Sequence, residues 1–158
     1  MATVRGGCRG GLLIVDMQVG VLADAWQASR TADAAAQAVQ VARDHGVPVI
    51  WVQHHSAELA QGSAAWQWTP LLQPAEGEAL IHKAFNSAFE HTSLESTLAR
   101  LGISHIVLAG ASSNWCIRAT AYAALERGYD LTLLADAHTT DSLDLGDGVV
   151  VQAERIGR

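Results

Sequence analysis

Lysine, cysteine and long apolar runs are scarce in this chain. Among its 158 residues there is one lysine, Lys83, and there are two cysteines, Cys8 and Cys116. Two cysteines are too few for a disulfide framework and lack the spacing of metal ligands, so we expect a reducing, cytoplasmic location. Apolar runs such as GLLIV fall far short of the ~20 residues that cross a bilayer, so no membrane partner is expected.

Positive charge is also sparse. The formal net charge is −6 and no basic run occurs, which argues against a nucleic-acid partner, because a phosphate-binding face needs clustered Lys and Arg. The start of the chain does not fit a signal peptide, since Asp16 interrupts the first apolar stretch. With 49% apolar and 16% charged residues, we expect one domain over residues 1–158.

Short β-branched runs alternate with helical patterns along the chain. Strands are predicted at 11–16, 47–53, 79–83, 104–110 and 129–136, and helices at 31–45, 92–102 and 113–128. This alternation predicts an α/β protein with a three-layer Rossmann-like fold, a mainly parallel β-sheet with helices on both faces. The long segment 54–78 is expected to be a lid or a binding loop.

Three chemically distinct side chains follow predicted strands. Asp16 ends the first strand, Lys83 ends the third, and Cys116 lies in the turn after the fourth. Because ligands bind beyond the carboxyl ends of parallel strands, we expect these residues to converge at one edge of the sheet. Individually, each residue also has a structural explanation. Asp16 would cap the end of a strand, Lys83 would be a solvated charge, and Cys116 would be a small buried hydrophobe.

Together, the three residue types suit nucleophilic catalysis. A cysteine nucleophile needs a base, and Asp16 at an apolar strand end can have a raised pKa, while Lys83 would keep its carboxylate ionised. N–H groups at the start of the Cys116 helix could bind an oxyanion. The same helix position can lower a thiol pKa, so alkylation is expected to reveal a thiolate below the free-thiol pKa of about 8.5.

Four blocks of sequence resemble one known family. LLIVDMQ, IHKAFNSAF, IVLAGASSNWCIRATAYAALERGYD and LLADAHTT, in this order from about Gly11 to Thr140, are similar to the isochorismatase-like cysteine hydrolases, which include nicotinamidases and carbamoyl-amide hydrolases. The resemblance implies a triad in which Asp16 is the general base, Lys83 stabilises the proton exchange and Cys116 forms a thioester. It implies no cofactor.

The resemblance also implies features around the nucleophile. Family members often have a cis peptide before this helix, which here falls at Ala111–Ser112 and would shape the oxyanion hole. Trp115 is expected to pack against the loop and to contribute its backbone N–H. Members usually continue into a further helix, so either that helix is curtailed here or the sequence is not the whole gene product.

The substrate-binding side chains are predicted from their positions. Gln18 is expected to bond the substrate or the local turn, and His54 to line the pocket. Aromatic residues of the loop and of the Lys83 motif are expected to wall the pocket, to cover the core, or to form a contact in a homo-oligomer, a dimer or larger: Trp66, Trp68, Phe85 and Phe89. Adjacent histidines on a strand point to opposite faces, so no metal is expected at His54 and His55.

The sequence therefore predicts hydrolysis of a small amide or a related carbonyl compound through Cys116. An isochorismatase-type ether hydrolase remains an alternative, although relatives that cleave a vinyl ether can lack this cysteine. A catalytically silent scaffold or binding protein and a thiol redox sensor remain open as well, but Cys8 is poorly placed to resolve an oxidised Cys116.

Overall fold

A computed structural model describes residues 9–157, so Cys8 lies outside the described part. The strands are β1 (Arg9–Val15), β2 (Val49–His54), β3 (Ala79–Lys83), β4 (Ile103–Ala111), β5 (Asp130–Thr139), β6 (Leu143–Asp144) and β7 (Val150–Val151). The helices are α1 (Val19–Leu22), α2 (Ala28–Asp44), α3 (Leu94–Arg100), α4 (Arg118–Glu126) and α5 (Ala153–Ile156). Within residues 9–157, no helix has the length and apolar character needed to span a membrane.

The first five strands form one parallel sheet with the order β3-β2-β1-β4-β5. β1 lies at its centre, paired with β2 and β4, and the side chains from Leu12 to Val15 are buried. A continuous apolar run is typical of a strand that is covered on both faces. Because all five strands run the same way, their carboxyl ends meet at one edge.

Two apolar clusters cover the two faces of this sheet. On one face, Ala35 and Val39 of α2 pack with Leu12 and Ile14 of β1. The opposite face is covered by α3 and α4, whose buried side chains pack with the alternate residues of β1, Leu13 and Val15. The alternation follows from the two-residue period of a strand. The predicted three-layer α/β fold is therefore confirmed.

The predicted helix at 113–128 begins differently from expectation. Its first five residues, Ser113–Ile117, form a π-helical turn before α4 begins. The Ile117 N–H donates to the Ser112 carbonyl at 3.1 Å, a five-residue separation that a regular α-helix does not use. Short π-helical segments occur frequently at functional sites.

A glycine allows β4 to approach β1 immediately before this turn. Gly110 has φ +137°, and a Cβ built on it would lie 2.0 Å from the Val15 carbonyl oxygen. No side chain fits there, since real Cβ atoms essentially never come within 3.0 Å of a neighbouring heavy atom. The close approach brings the segment carrying Cys116 against the end of β1, where Asp16 follows.

Candidate active site

Asp16, Lys83 and Cys116 meet at the carboxyl edge of the sheet. The Lys83 ammonium lies 2.7 Å from Asp16 Oδ2 and 3.2 Å from Cys116 Sγ. The lysine side chain is fully buried, and the aspartate side chain nearly so. The structure thus brings together three residues that are far apart in sequence, at the place predicted by the parallel topology.

Each of the three residues is positioned by its own element. Asp16 follows β1 with φ +53°, a left-handed conformation that Asp adopts more readily than most residues. Its N–H donates to the Val52 carbonyl at 2.8 Å. Lys83 is the last residue of β3, and Cys116 belongs to the π-helical turn.

The Asp16 carboxylate is more basic than an ordinary aspartate. Burial raises its pKa above the usual value, and the positive charge of Lys83 opposes this rise without cancelling it. Within residues 9–157, its buried Oδ1 has no hydrogen-bond partner of standard geometry. Since the carboxylate also interacts with the Cys116 thiol, a transferred proton has a short path and a basic acceptor.

The Cys116 thiol is protonated at neutral pH. Burial raises its pKa to about 12, the negative charge of Asp16 acts in the same direction, and Lys83 opposes both. The expectation of a lowered thiol pKa is therefore wrong for this structure. Desolvation and the neighbouring carboxylate raise the thiol pKa by more than the start of a helix can lower it. Any reaction of this sulfur as a nucleophile would therefore start from the protonated thiol and need a base to remove its proton.

Alkylation should report this raised pKa. In a Cys8→Ser variant, which leaves Cys116 as the sole thiol, we expect iodoacetamide to react at pH 8 at least about tenfold more slowly than with the urea-unfolded chain. The rate should keep rising above pH 9, because the folded thiol ionises later than a free one. Mass spectrometry of quenched samples measures the rates, and a plateau below pH 8.5 would contradict the protonated resting state.

A pocket of about 590 Å³ opens onto the cysteine. Its lining comes from the end of β1, α1, the long loop, the segment after β3 and the π-helical turn: Asp16, Gly20, Val21, His54, Ser56, Glu58, Leu59, Ala65, Asn86, Ser112, Trp115 and Cys116. Of the residues predicted to bind the substrate, His54 lies in this wall. Among the residues predicted near the oxyanion site, Ser112 and Trp115 do so.

Gln18 and Trp66 are structural rather than pocket residues. The buried Gln18 amide donates to the carbonyls of His54 and Trp66, both at 2.9 Å, and accepts from the His54 N–H at 2.9 Å. It therefore fastens the long loop to the end of β2 and is not part of the pocket lining. The Trp66 ring stacks on His82, with centroids 5.8 Å apart, and does not line the pocket.

The other predicted aromatic residues also lie outside the pocket wall. Phe89 is buried in the core beside Tyr129, and Trp68 packs edge-on against Trp51. Phe85 is 51% exposed, and its carbonyl oxygen accepts a hydrogen bond from Lys83 at 3.1 Å. Phe85 thus contacts the site through its backbone, while its ring packs against His91, with centroids 5.4 Å apart.

The backbone geometry before Cys116 matches one expectation and not another. The Ala111–Ser112 peptide bond is cis, where the resemblance placed it. The Trp115 N–H, in contrast, donates to the Ser112 carbonyl at 3.0 Å, so it is already used within the turn. Its predicted contribution to an oxyanion site is not supported, and the half-exposed Trp115 ring lines the pocket instead.

Sequence reasoning missed several residues of the pocket wall. Asn86 Oδ1 lies 3.8 Å from Cys116 Sγ, and Ser56 and Glu58 line the pocket from the long loop. Asn86 could have been found, since it stands three residues after Lys83 in a block that carried the resemblance. The loop residues gave no such signal, because no periodicity fixes the path of a loop.

His54 lies beside the cluster formed by Asp16, Lys83 and Cys116. Its Nδ1 lies 3.1 Å from the Lys83 ammonium. Burial, and then the positive charge of Lys83, lower its pKa to about 4, so the ring is neutral at pH 7. Within residues 9–157, no group of three or more His, Cys, Asp or Glu side chains is placed to hold a metal ion.

Comparison with known proteins places this chain in a family. The isochorismatase domain model matches residues 11–154. The uncharacterized isochorismatase family protein YddQ of Bacillus subtilis is 30% identical over 152 residues, covering 88% of this chain and 82% of that protein. The crystal structure of an isochorismatase from Pseudomonas putida KT2440 matches with a TM-score of 0.89 and 30% identity, covering 96% of this chain and 82% of that one.

A longer relative has a named activity. Streptothricin hydrolase from Streptomyces noursei is 28% identical over 145 residues, which cover 87% of this chain but 57% of that enzyme. The chain therefore spans little more than half the length of that relative. Because the domain model extends over residues 11–154, the chain belongs to the isochorismatase family of hydrolases.

Proposed function

We propose that this protein hydrolyses the C–N bond of a small amide through a thioester on Cys116, with Asp16 as general base and Lys83 as the stabilising charge. One observation carries the proposal. A single buried ammonium lies within 3.2 Å of both a carboxylate oxygen and a thiol sulfur at the base of a pocket. A nucleophile, a base and a fixed positive charge are the groups that covalent acyl transfer requires.

The first half of the reaction forms the thioester. Asp16 removes the proton from Sγ as the sulfur attacks the carbonyl carbon, which becomes tetrahedral. The C–N bond then breaks, and the leaving nitrogen takes the proton from Asp16 and departs as ammonia or an amine. The raised pKa of Asp16 suits both steps, because a group that accepts a proton and then donates it works best near the operating pH.

The second half regenerates the enzyme. Asp16 removes a proton from a water molecule, and the resulting hydroxide attacks the thioester carbonyl. The C–S bond breaks, the product leaves as a carboxylic acid, and Sγ takes its proton back from Asp16. Throughout, Lys83 remains a positive neighbour of whichever group carries the negative charge, carboxylate or sulfur, and so limits the cost of moving charge in a buried site.

Relatives and local electrostatics favour this function over the alternatives. Matched proteins named as maleamate amidohydrolase and ureidoacrylate amidohydrolase support a C–N bond as the target. Cleavage of an ether needs no sulfur to accept an acyl group. Here the Cys116 sulfur lies within hydrogen-bond distance of the Lys83 ammonium, which is paired with Asp16. A redox sensor is disfavoured because oxidation proceeds through the thiolate, and the Cys116 pKa is raised.

The thioester can be detected directly. During turnover of a reactive small amide, acid quenching followed by intact-mass spectrometry should show the chain heavier by the acyl group, which is the substrate minus ammonia. Peptide mapping should place the adduct on Cys116, and hydroxylamine should remove it, as expected for a thioester. The Cys8→Ser variant serves as the matched control and should form the same adduct.

Two results would exclude covalent catalysis by this cysteine. One is turnover of the amides in a panel with no acyl adduct detected on the protein, even when the release of product is measured from the first turnover onward. The other is an adduct that maps to a residue other than Cys116.

A further inference from the structure

The pocket wall carries an unbalanced negative charge. Four ionisable side chains line it within residues 9–157: Asp16, His54, Glu58 and Cys116. The Asp16 carboxylate is paired with Lys83 at 2.7 Å. His54, with a pKa of about 4, and Cys116, with a pKa of about 12, are both neutral at pH 7. The net charge of the wall therefore comes from Glu58.

No cation of the described chain neutralises this carboxylate. Neither Arg nor Lys belongs to the pocket lining contributed by residues 9–157, and none of the ion pairs within that range involves Glu58. Lys83, which lies behind the lining, is already shared between Asp16 and Cys116. A bound anionic group would thus face Glu58 without a compensating charge.

The segment that carries Glu58 has a defined position. The Leu59 N–H donates to Ser56 Oγ at 3.1 Å, and the Ser56 N–H donates to the Leu59 carbonyl at 3.2 Å, which closes a turn around Glu58. The Leu59 side chain is buried against α1, where a Cβ on Gly20 would lie 2.9 Å from Leu59 Cδ1. Glu58, an exposed residue of the pocket wall, is therefore carried by an anchored turn.

We propose that Glu58 makes the pocket selective for substrates that carry a positive charge, such as amides with an ammonium group beyond the scissile bond. This inference rests on the proposed amide hydrolysis for the nature of the reaction, and on the charges of the wall for the nature of the substrate. Neutral amides are accepted without electrostatic help. Amides that bear a carboxylate are disfavoured, because like charges repel across the pocket.

The test measures the potential at Cys116 with thiol reagents of opposite charge. Aminoethyl methanethiosulfonate is cationic and sulfonatoethyl methanethiosulfonate is anionic. With each, the sulfur of Cys116 forms a mixed disulfide and methanesulfinate leaves. The measured quantity is the ratio of the cationic to the anionic rate constant, normalised to the same ratio for 2-mercaptoethanol, in the Cys8→Ser background at pH 8 and low salt.

Glu58→Gln should lower this ratio about 10-fold, because it removes the charge and keeps the size of the side chain. Glu76→Gln is the matched control: it makes the same change in net charge on an exposed residue before β3, at the opposite end of the strand from Lys83. It should change the ratio less than about 2-fold. Neutral methyl methanethiosulfonate should react equally with both variants, and salt should weaken the selectivity of the parent.

A matched amide series then tests the substrate class. 4-Aminobutyramide, pentanamide and glutaramate share a three-carbon spacer and differ in charge. Glu58→Gln should lower kcat/KM for the first about 5-fold, leave the second within about 2-fold and raise the third.

The two proposals fail in different ways. If Glu58→Gln changes the reagent ratio no more than Glu76→Gln does, the charge-selection proposal is overturned, even where a thioester forms. If the ratio falls as expected but no thioester forms during turnover, the proposed function fails and the electrostatic role of Glu58 stands.

Discussion

Replacing Cys116 with alanine will lower kcat/KM for a small amide by at least about 10⁴-fold while the protein stays folded. The loss is large because the acyl group has no atom to bind to, and Asp16 alone has no nucleophile to activate. Removing one sulfur from a partly buried side chain creates a cavity that costs on the order of 1 kcal/mol, so the fold should remain. Ammonia release measures the activity, and circular dichroism with urea unfolding measures the fold.

Two further variants sharpen this result. Cys8→Ser should keep the activity of the parent, since Cys8 is the other thiol of the chain. Cys116→Ser keeps a nucleophilic atom with a much higher pKa and should also lose most activity. Retention of more than about a tenth of the parent activity by folded Cys116→Ala would show that another group attacks the substrate.

Replacing Lys83 with methionine should have the largest effect on stability. Methionine keeps the length of the side chain and removes the charge that lies 2.7 Å from Asp16. Breaking a buried ion pair by removing one partner costs about 3–5 kcal/mol in the free energy of unfolding, because the other charge stays buried and unpaired. Activity should fall as well, since the negative charge on Asp16 or on the sulfur loses its stabilising neighbour.

The loss of stability should depend on pH. Burial already raises the Asp16 pKa in the parent, and Lys83 opposes that rise, so the variant's Asp16 pKa is higher still. A carboxyl group with a raised folded-state pKa favours the folded state below the unfolded value of about 3.9. That contribution disappears as pH rises through the folded-state pKa. Urea unfolding should therefore show a small deficit near pH 4 and the full deficit at pH 8.

A double variant separates stability from catalysis. Lys83→Met combined with Asp16→Asn removes both charges, and Asn tolerates the left-handed conformation of position 16 as well as Asp does. The double variant should recover most of the lost unfolding free energy and its pH dependence, yet remain inactive. If it is as unstable as Lys83→Met at pH 8, the unpaired carboxylate is not the cause of the instability.

Much of the fold was predictable because it rests on local apolar patterns. Strand β3 has the predicted bounds, 79–83, and the central strand was recognised from its continuous apolar run. The π-helical turn was not predicted, since its hydrogen bonds to the Ser112 carbonyl arise from how the chain leaves β4. The secondary-structure propensities of single residues carry no information on the path of the chain after β4.

The site was predictable to the extent that topology decides it. Parallel strands bring Asp16, Lys83 and Cys116 together whatever their separation in sequence. The direction of the Cys116 pKa was predicted wrongly, because it depends on the burial of the thiol and its distance from a carboxylate, which sequence does not give. Glu58 was missed for a related reason: its loop follows a path set by long-range hydrogen bonds.

Those hydrogen bonds have an evolutionary consequence. Gln18 holds the long loop entirely through main-chain atoms, the carbonyls of His54 and Trp66 and the N–H of His54. Any residue except proline can supply these atoms. Loop side chains such as Glu58 are therefore free to mutate without loosening the attachment or shifting Asp16, which lies two residues before Gln18. Substitutions in the loop can therefore change which substrates fit the pocket while Asp16 keeps its position. Selection can act on substrate specificity without disturbing the residues at the end of β1.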